Sequence, residues 1–313
     1  MKYEREYMMK MAGSCDMSFK ILTEIYLKDM KKRQKETTWK ENKHIIEHQL
    51  IPYFGNMPIN EITPIIVRNW ETEKIIDNYT SSTAGRYVGY MSGIMNYAVR
   101  YLGLPVNPVR VAGPCQGKKE GREIRYWTQK TFEKFCEQLP DKDKEYKLIY
   151  ELLFWTGCRR GEILGLRILD IKGKKIEIRQ NRVSMTGKKI AIQTPKTDSS
   201  VRDITVPAKI MGKLKRWIAN LYEPEAGSLI FENLIPGTVS QKFRDAQKKQ
   251  GIEPRIRLHD LRHSHASLLI NLGFSVQAVA DRLGHINAEQ VIKTYGHLYE
   301  QKRDEILEAL EKL

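Results

Sequence analysis

Residues 257–273 read RLHDLRHSHASLLINLG, three histidines and two arginines set just ahead of an apolar run. His259 and Arg262 are three apart, and His259 and His263 are four apart, so helical geometry puts all three on one face. The first pair could grip a phosphate and the second a zinc ion. A third reading is a polar helix start with no chemistry at all. The residues around this segment have to decide.

The chain is 313 residues long with a formal charge of +15, a length that suggests two domains. With 41% hydrophobic residues it can bury real cores, which excludes a disordered tail. The basic excess runs through both halves and favours a nucleic-acid or other anionic partner. Cys15, Cys115, Cys136 and Cys158 are scattered and form no CxxC pair, so a reducing compartment is expected. The first residues, MKYEREYMMKMAG, have no apolar core of signal-peptide type, and no run of about 18 apolar residues occurs. The protein is expected to be soluble and intracellular.

The first part reads as helices. SFKILTEIYLKDMKKR puts Phe19, Leu22, Ile25, Tyr26 and Met30 on one face behind a Ser18 cap. TTWKENKHIIEHQLIPYFG reads as a second helix stopped by Pro52 and Gly55. ITPIIVRNWETEKIID opens with Thr63 as cap and Pro64 in the first turn. SSTAGRYVGYMSGIMNYAVRYLG is a long amphipathic helix ending at Gly103, and four such helices make a small bundle. The stretch LPVNPVRVAGPCQGKKEGREIRYW, with three prolines and three glycines, reads as a linker. The expected division is an extension over 1–15, a helical domain over 16–112, a linker over 113–125 and a second domain over 126–313. That second domain is mixed: helices, then KKIEIRQNRVSM, KKIAIQTPKT and SVRDITVP as a small antiparallel sheet, then helices again to the end.

Several residues of the second domain could carry chemistry. In FWTGCRRGEILGLRILDI, Gly157 ends one helix and Arg159, Arg160 and Glu162 begin the next, with Glu162 placed to orient Arg159. Lys196 lies at a tip between two expected strands, where a lysine is ordinarily only solvated. His285 follows Gly284 in an expected turn, and Tyr295 comes ten residues later. The zinc reading fares poorly. Asp260 stands where the zinc-protease pattern has glutamate, Arg257 and Arg262 crowd the site with positive charge, and a third ligand would have to be His285 or Glu289.

Taken in order, Arg159, Lys196, His259, Arg262, His285 and Tyr295 form a constellation that resembles the tyrosine recombinases, the phage-integrase family. TGCRRGE, PKT, HDLRHSHAS, LGH and TYGH carry the resemblance, and each expected catalytic position has a matching residue. PYFGNMPINEITP and GLPVNP resemble that family's core-DNA-binding domain. The resemblance implies a mainly α fold with a small antiparallel β-sheet: an N-terminal helical, SAM-like core-DNA-binding bundle followed by an α+β catalytic domain. It implies a site-specific recombinase or integrase that cuts and rejoins double-stranded DNA without a metal or other cofactor. Integration or excision of a mobile element is the expected use. It also implies a homotetramer on two DNA sites, linked by the C-terminal helix, with accessory DNA-bending or excision factors as further partners. Arg160, Arg125, Lys118 and Lys119 are the expected DNA contacts. Many integrases of mobile elements carry an additional N-terminal arm-binding domain, and none is expected within the residues before Ser18. A strand-passing topoisomerase of type IB and a non-catalytic DNA-binding regulator are the alternatives.

The chemistry suits these residue types. Rejoining DNA without an energy source requires a covalent intermediate, here a 3′-phosphotyrosyl link to Tyr295. Arg159 and Arg262 would clamp the non-bridging oxygens, with His285 as a further donor. His259 is the expected base or orienting group, and Lys196 the expected acid for the leaving 5′-oxygen. His263 and His265 are expected to be structural.

Overall fold

In the computed structural model, residues 16–118, 125–184, 190–193, 201–284 and 288–300 are described, with the side chains of residues 184, 190, 290 and 297–300 left aside. The chain divides into two compact units, Met1–Arg122 and Glu123–Leu313. No helix among the described residues is long and apolar enough to cross a membrane.

In the first unit, α1 (Phe19–Arg33) starts where expected, with Ser18 Oγ accepting from the Ile21 amide at 3.4 Å. Phe19, Leu22 and Leu27 are buried on its inner face. α2 (Glu36–Ile45) runs into a π-helical stretch, Ile46–Leu50, and on into α3 (Ile51–Phe54). Pro52 therefore does not stop this rod. The wider π turn just before it relieves the clash between a proline ring and the carbonyl one turn back, so the helix passes through. Phe54, fully buried at its end, packs on Phe19 and Trp70 with ring centroids 5.6 and 5.3 Å away. α4 (Pro64–Trp70) carries the expected proline in its first turn, but Thr63 caps it without a side-chain hydrogen bond. α5 (Ser81–Tyr101) is capped by Thr80, and the chain turns away at Gly103, whose φ is +75°.

The stretch that composition marks as linker contains a helix. α6 (Pro108–Ala112) is capped by the Asn107 Oδ1, which accepts from the Val109 amide at 2.9 Å. The Asn107 amide group donates to the Ser92 carbonyl at 3.0 Å and so ties α6 to α5. Beyond it, the Lys118 amide donates to the Tyr79 carbonyl at 3.1 Å and the Ser81 amide to the Lys118 carbonyl at 3.0 Å.

The second unit begins with α7 (Gln129–Glu137) and α8 (Lys144–Thr156), whose Phe132 and Phe154 rings stack at 4.1 Å. Gly157 ends α8 in the left-handed region, as its position predicts, and α9 (Arg160–Leu164) follows. The strands β1 (Ile171–Lys172), β2 (Lys175–Ile178), β3 (Asn181–Ser184), β4 (Ile190–Gln193) and β5 (Arg202–Thr205) are antiparallel, but they form two sheets. One has the order β1-β2-β5 and the other is β3-β4. The segment read as one strand, KKIEIRQNRVSM, is broken between β2 and β3. There Gln180 Nε2 donates to the Gly165 carbonyl at 2.6 Å, and the buried Arg182 donates to the Phe231 carbonyl at 2.7 Å. Two side chains turned inward to backbone acceptors pull the chain out of the first ladder.

Helices α10 (Ala208–Ala219), α11 (Pro236–Gln250), α12 (Asp260–Asn271), α13 (Val276–Leu283) and α14 (Glu289–Glu300) complete the described part. Trp127, Phe135, Tyr150 and Phe243 form the aromatic centre of the main core. A separate cluster of Ala266, Ile270, Val279, Ala280, Leu283, Val291 and Tyr295 joins α12, α13 and α14. The C-terminal residues 301–313, and with them most of the expected terminal helix, lie outside the described residues.

Candidate active site

The quoted segment folds as its spacing predicts. His259 caps α12, and Arg262 and His263 fall in its first turn. Asp260 secures that start: its carboxylate accepts from the Arg257 amide at 2.8 Å and from the Arg257 guanidinium at 2.8 Å. Arg262 is 5% exposed and acts as a hub. One guanidinium nitrogen donates to the Gly157 carbonyl at 2.8 Å and another to the Leu283 carbonyl at 2.7 Å. Gly157 lies two residues before Arg159, and Leu283 two before His285. One buried cation therefore ties together three stretches far apart in sequence. Burial first, then the charge of Arg159, lowers its pKa to about 10, which leaves it charged at neutral pH.

Arg159 caps α9. Its amide donates to Glu162 Oε2 at 2.8 Å and its guanidinium to Glu162 Oε1 at 2.9 Å. The arginine side chain remains 40% exposed, so its other donors are open to a ligand. Glu162 is almost fully buried and has a second cation: Arg202 of β5 donates to its Oε2 at 2.9 Å. Burial acts to raise the Glu162 pKa, but the Arg202 hydrogen bond and charge, with those of Arg159, hold it below the usual carboxylate range. Arg202 also donates to the Arg282 carbonyl at 3.0 Å, which links the sheet to the end of α13. Nothing in the local sequence marks Arg202, which is 40 residues from Glu162.

Tyr295 lies on α14 with its ring in the apolar cluster, 2% exposed. Its hydroxyl is 2.5 Å from His263 Nδ1. Burial raises the phenol pKa above its ordinary value, against the pull of Arg262. His263, expected to be structural, thus touches the candidate nucleophile. The signal was available, since His263 shares a helix face with His259. The two rings stand nearly perpendicular, with centroids 5.8 Å apart.

His259 sits at the surface of the site and is exposed by area, yet protein crowds its ring. Loss of solvent, then Arg262, His263 and Arg159, lower its pKa. His265, by contrast, is buried and accepts from Arg282 Nε at 2.8 Å. Burial and that cation lower its pKa to about 3 and keep it neutral, a packing role.

The expected DNA contacts divide. Arg160 is half-buried and donates to Ser240 Oγ at 2.6 Å. Arg125 and Lys118 are exposed. Lys196, His285 and Lys119 lie outside the described residues. β4 and β5, the described strands on either side of Lys196 in sequence, belong to different sheets. As for zinc, no group of three His, Cys, Asp or Glu side chains gathers as ligands among the described residues. His263 turns its Nδ1 to Tyr295 instead.

Comparison with known proteins places the chain in a family. The model of the phage integrase family matches residues 125–302, and that of the phage integrase N-terminal SAM-like domain matches residues 18–75. The ICEBs1 integrase of Bacillus subtilis is 28% identical, over 100% of this chain and 88% of its own length. The Tn1549 transposon integrase in complex with a circular intermediate DNA has the same fold, with a TM-score of 0.72 at 18% identity, over 88% of this chain and 94% of that one. A lambda integrase tetramer bound to a Holliday junction matches with a TM-score of 0.66 at 19% identity, over 90% of this chain and 79% of that one.

Proposed function

The chain belongs to the phage integrase family of DNA strand-exchanging enzymes, and we propose that it integrates or excises a mobile element by cutting and rejoining double-stranded DNA through Tyr295. The observation that carries this reading is the hub at Arg262. It ties the Arg159 loop and the segment before His285 to the helix that faces Tyr295.

In this mechanism the Tyr295 oxygen attacks the scissile phosphate and forms a 3′-phosphotyrosyl ester, while the 5′-oxygen leaves. Arg159 and Arg262 bind the non-bridging oxygens, where charge builds in the transition state. Glu162 and Arg202 hold the Arg159 guanidinium in place. Buried and fixed by carbonyls, Arg262 needs no reorganisation as the charge develops. His285 supplies a further donor, His259 orients the reacting groups, and Lys196 protonates the 5′-oxygen. The cations carry the role that metal ions have in other phosphoryl-transfer enzymes. The 5′-hydroxyl of a partner strand reverses the step, so exchange runs through a Holliday junction and conserves the bond energy. The working assembly is a homotetramer on two DNA sites, joined through the C-terminal segment and associated with the nucleoid. Exposed Arg125 and Lys118 contribute phosphate contacts that position the duplex without reading its sequence.

The test is covalent trapping. The protein is mixed with fragmented genomic DNA and denatured, and the DNA still attached is sequenced. Recovery of a small set of sites carrying a 3′ adduct supports the reading. Attachment to no DNA by the wild-type chain, despite tight binding, would leave a non-catalytic regulator.

A further inference from the structure

The mechanism above leaves one histidine of the quoted segment without a task. His263 stands one turn after His259 on α12, and its Nδ1 meets the Tyr295 hydroxyl of α14 at 2.5 Å. The rings lie at a centroid distance of 5.6 Å. The tyrosine ring is packed among apolar side chains, and a hydroxyl in such surroundings needs a fixed partner. Among the described residues, His263 is the histidine whose nitrogen touches it.

The direction of this hydrogen bond follows from charge. Burial, then Arg257 and Arg262, lower the His263 pKa against the opposing pull of Asp260. The imidazole is therefore neutral, and the buried phenol keeps its proton. The O–H donates, and Nδ1 accepts with the ring proton on Nε2.

We infer that His263 positions Tyr295 and accepts its proton when the phenol attacks the phosphodiester. The inference rests on Tyr295 being the nucleophile. In the step, the Tyr295 O–H bond breaks and the proton passes to His263 Nδ1. The Oη–P bond forms, the P–O5′ bond breaks, and the 5′-oxygen takes a proton from the acid assigned to Lys196. On the return step His263 gives its proton back to the phenolate. The groups facing the imidazolium are Asp260, His259 and Arg262 of the same segment, Arg257 just before it and Tyr295 from α14. Asp260, 6% exposed and less than one turn away, is the carboxylate that favours the charge.

The experiment measures the rate of covalent attachment to a nicked suicide DNA substrate across pH. It uses the wild-type chain, His263→Asn, and both again with a fluorinated tyrosine of lower pKa at position 295. Asparagine presents an acceptor oxygen close to the place of Nδ1 but cannot take a proton. His263→Asn should bind DNA as the wild type does and attach about 10²–10⁴-fold more slowly. The acid limb of the wild-type profile, set by the histidine, should vanish. The fluorinated phenol should restore most of the lost rate in the variant and change the wild type little. Full-rate attachment by His263→Asn, or no rescue by fluorination, overturns the inference. Should the variant fail to fold, the wild-type profile decides. An acid limb that follows the pKa of the fluorinated phenol overturns the inference, and a limb that stays put supports it. An adduct that survives in Tyr295→Phe overturns the nucleophile assignment as well. An adduct lost there but kept at full rate in His263→Asn overturns this inference alone.

Discussion

Arg202 on β5 and Glu162 on α9 meet at 2.9 Å, with side-chain exposures of 8% and 5%. The pair is almost dry, and Glu162 is shared with Arg159, the exposed cation of the site. Glu162 therefore sets the direction of a catalytic guanidinium, and Arg202 holds Glu162 against the sheet.

Arg202→Met should leave a buried carboxylate with one cation in place of two. Breaking a buried pair in this way costs about 3–5 kcal/mol. Chemical denaturation at neutral pH should show that loss, with attachment to DNA reduced as well. The pH dependence has a definite sign. The Glu162 pKa is lowered in the fold, so its stabilisation is present above the unfolded carboxylate value and is lost as pH falls through the folded one. The stability gap between wild type and Glu162→Gln should close on the acid side of the usual carboxylate range. A gap that stays constant through that range would contradict the assignment.

Gly157→Ala should damage both fold and site. The residue has φ +68°, and an added Cβ would lie 2.5 Å from the His265 ring and 2.8 Å from Leu283 Cδ2. The left-handed backbone costs about 1–2 kcal/mol for a residue with a side chain, and overpacking about 1–3 more. A lower Tm should accompany weaker phosphate chemistry, because the Gly157 carbonyl anchors Arg262. A variant with wild-type Tm would show that the loop relaxes freely.

Lys196→Ala should fail on normal DNA yet cleave a substrate with sulfur at the 5′-bridging position at nearly the wild-type rate. Sulfur leaves without a proton, and a general acid contributes about 10²–10⁴-fold, so the rescue is easy to see. Arg159→Ala should show none, since its task is charge on the non-bridging oxygens. An unrescued Lys196→Ala would move the acid elsewhere, with His285 the next candidate.

Truncation after Glu300 removes the segment whose Ile306, Leu307, Leu310 and Leu313 form an apolar face in sequence. A short terminal helix is not stable alone and needs a surface to cover it. Native gel shifts should show loss of cooperative assembly on paired sites while single-site binding by the monomer persists. Cooperative assembly by the truncated chain would count against a linking role.

Much of this was legible in the sequence because the signals are local. Ser18, Thr63–Pro64, Gly103 and Gly157 mark element ends through their own backbone preferences, and the face shared by His259, Arg262 and His263 follows from helical spacing. What stayed hidden depends on distant partners. Arg202 looks like any strand arginine until Glu162 is brought to it. The break between β2 and β3 depends on acceptors at Gly165 and Phe231. α6 was masked by proline and glycine, because Asn107 gains its capping role only through contact with α5. Pro52 misled for the opposite reason: its local rule was overridden by a π turn. His263 reads as a packing residue from sequence because its partner, Tyr295, is 32 residues away.

The central claim is that Tyr295 carries the DNA, and the most direct measurement is mass spectrometry of the trapped adduct. After nuclease and trypsin digestion, the peptide Thr294–Lys302 contains both Tyr295 and Tyr299, and fragmentation separates them. The account predicts a 3′-linked nucleotide on Tyr295, with no adduct formed by Tyr295→Phe. A nucleotide on Tyr299, with an adduct surviving in Tyr295→Phe, would contradict it.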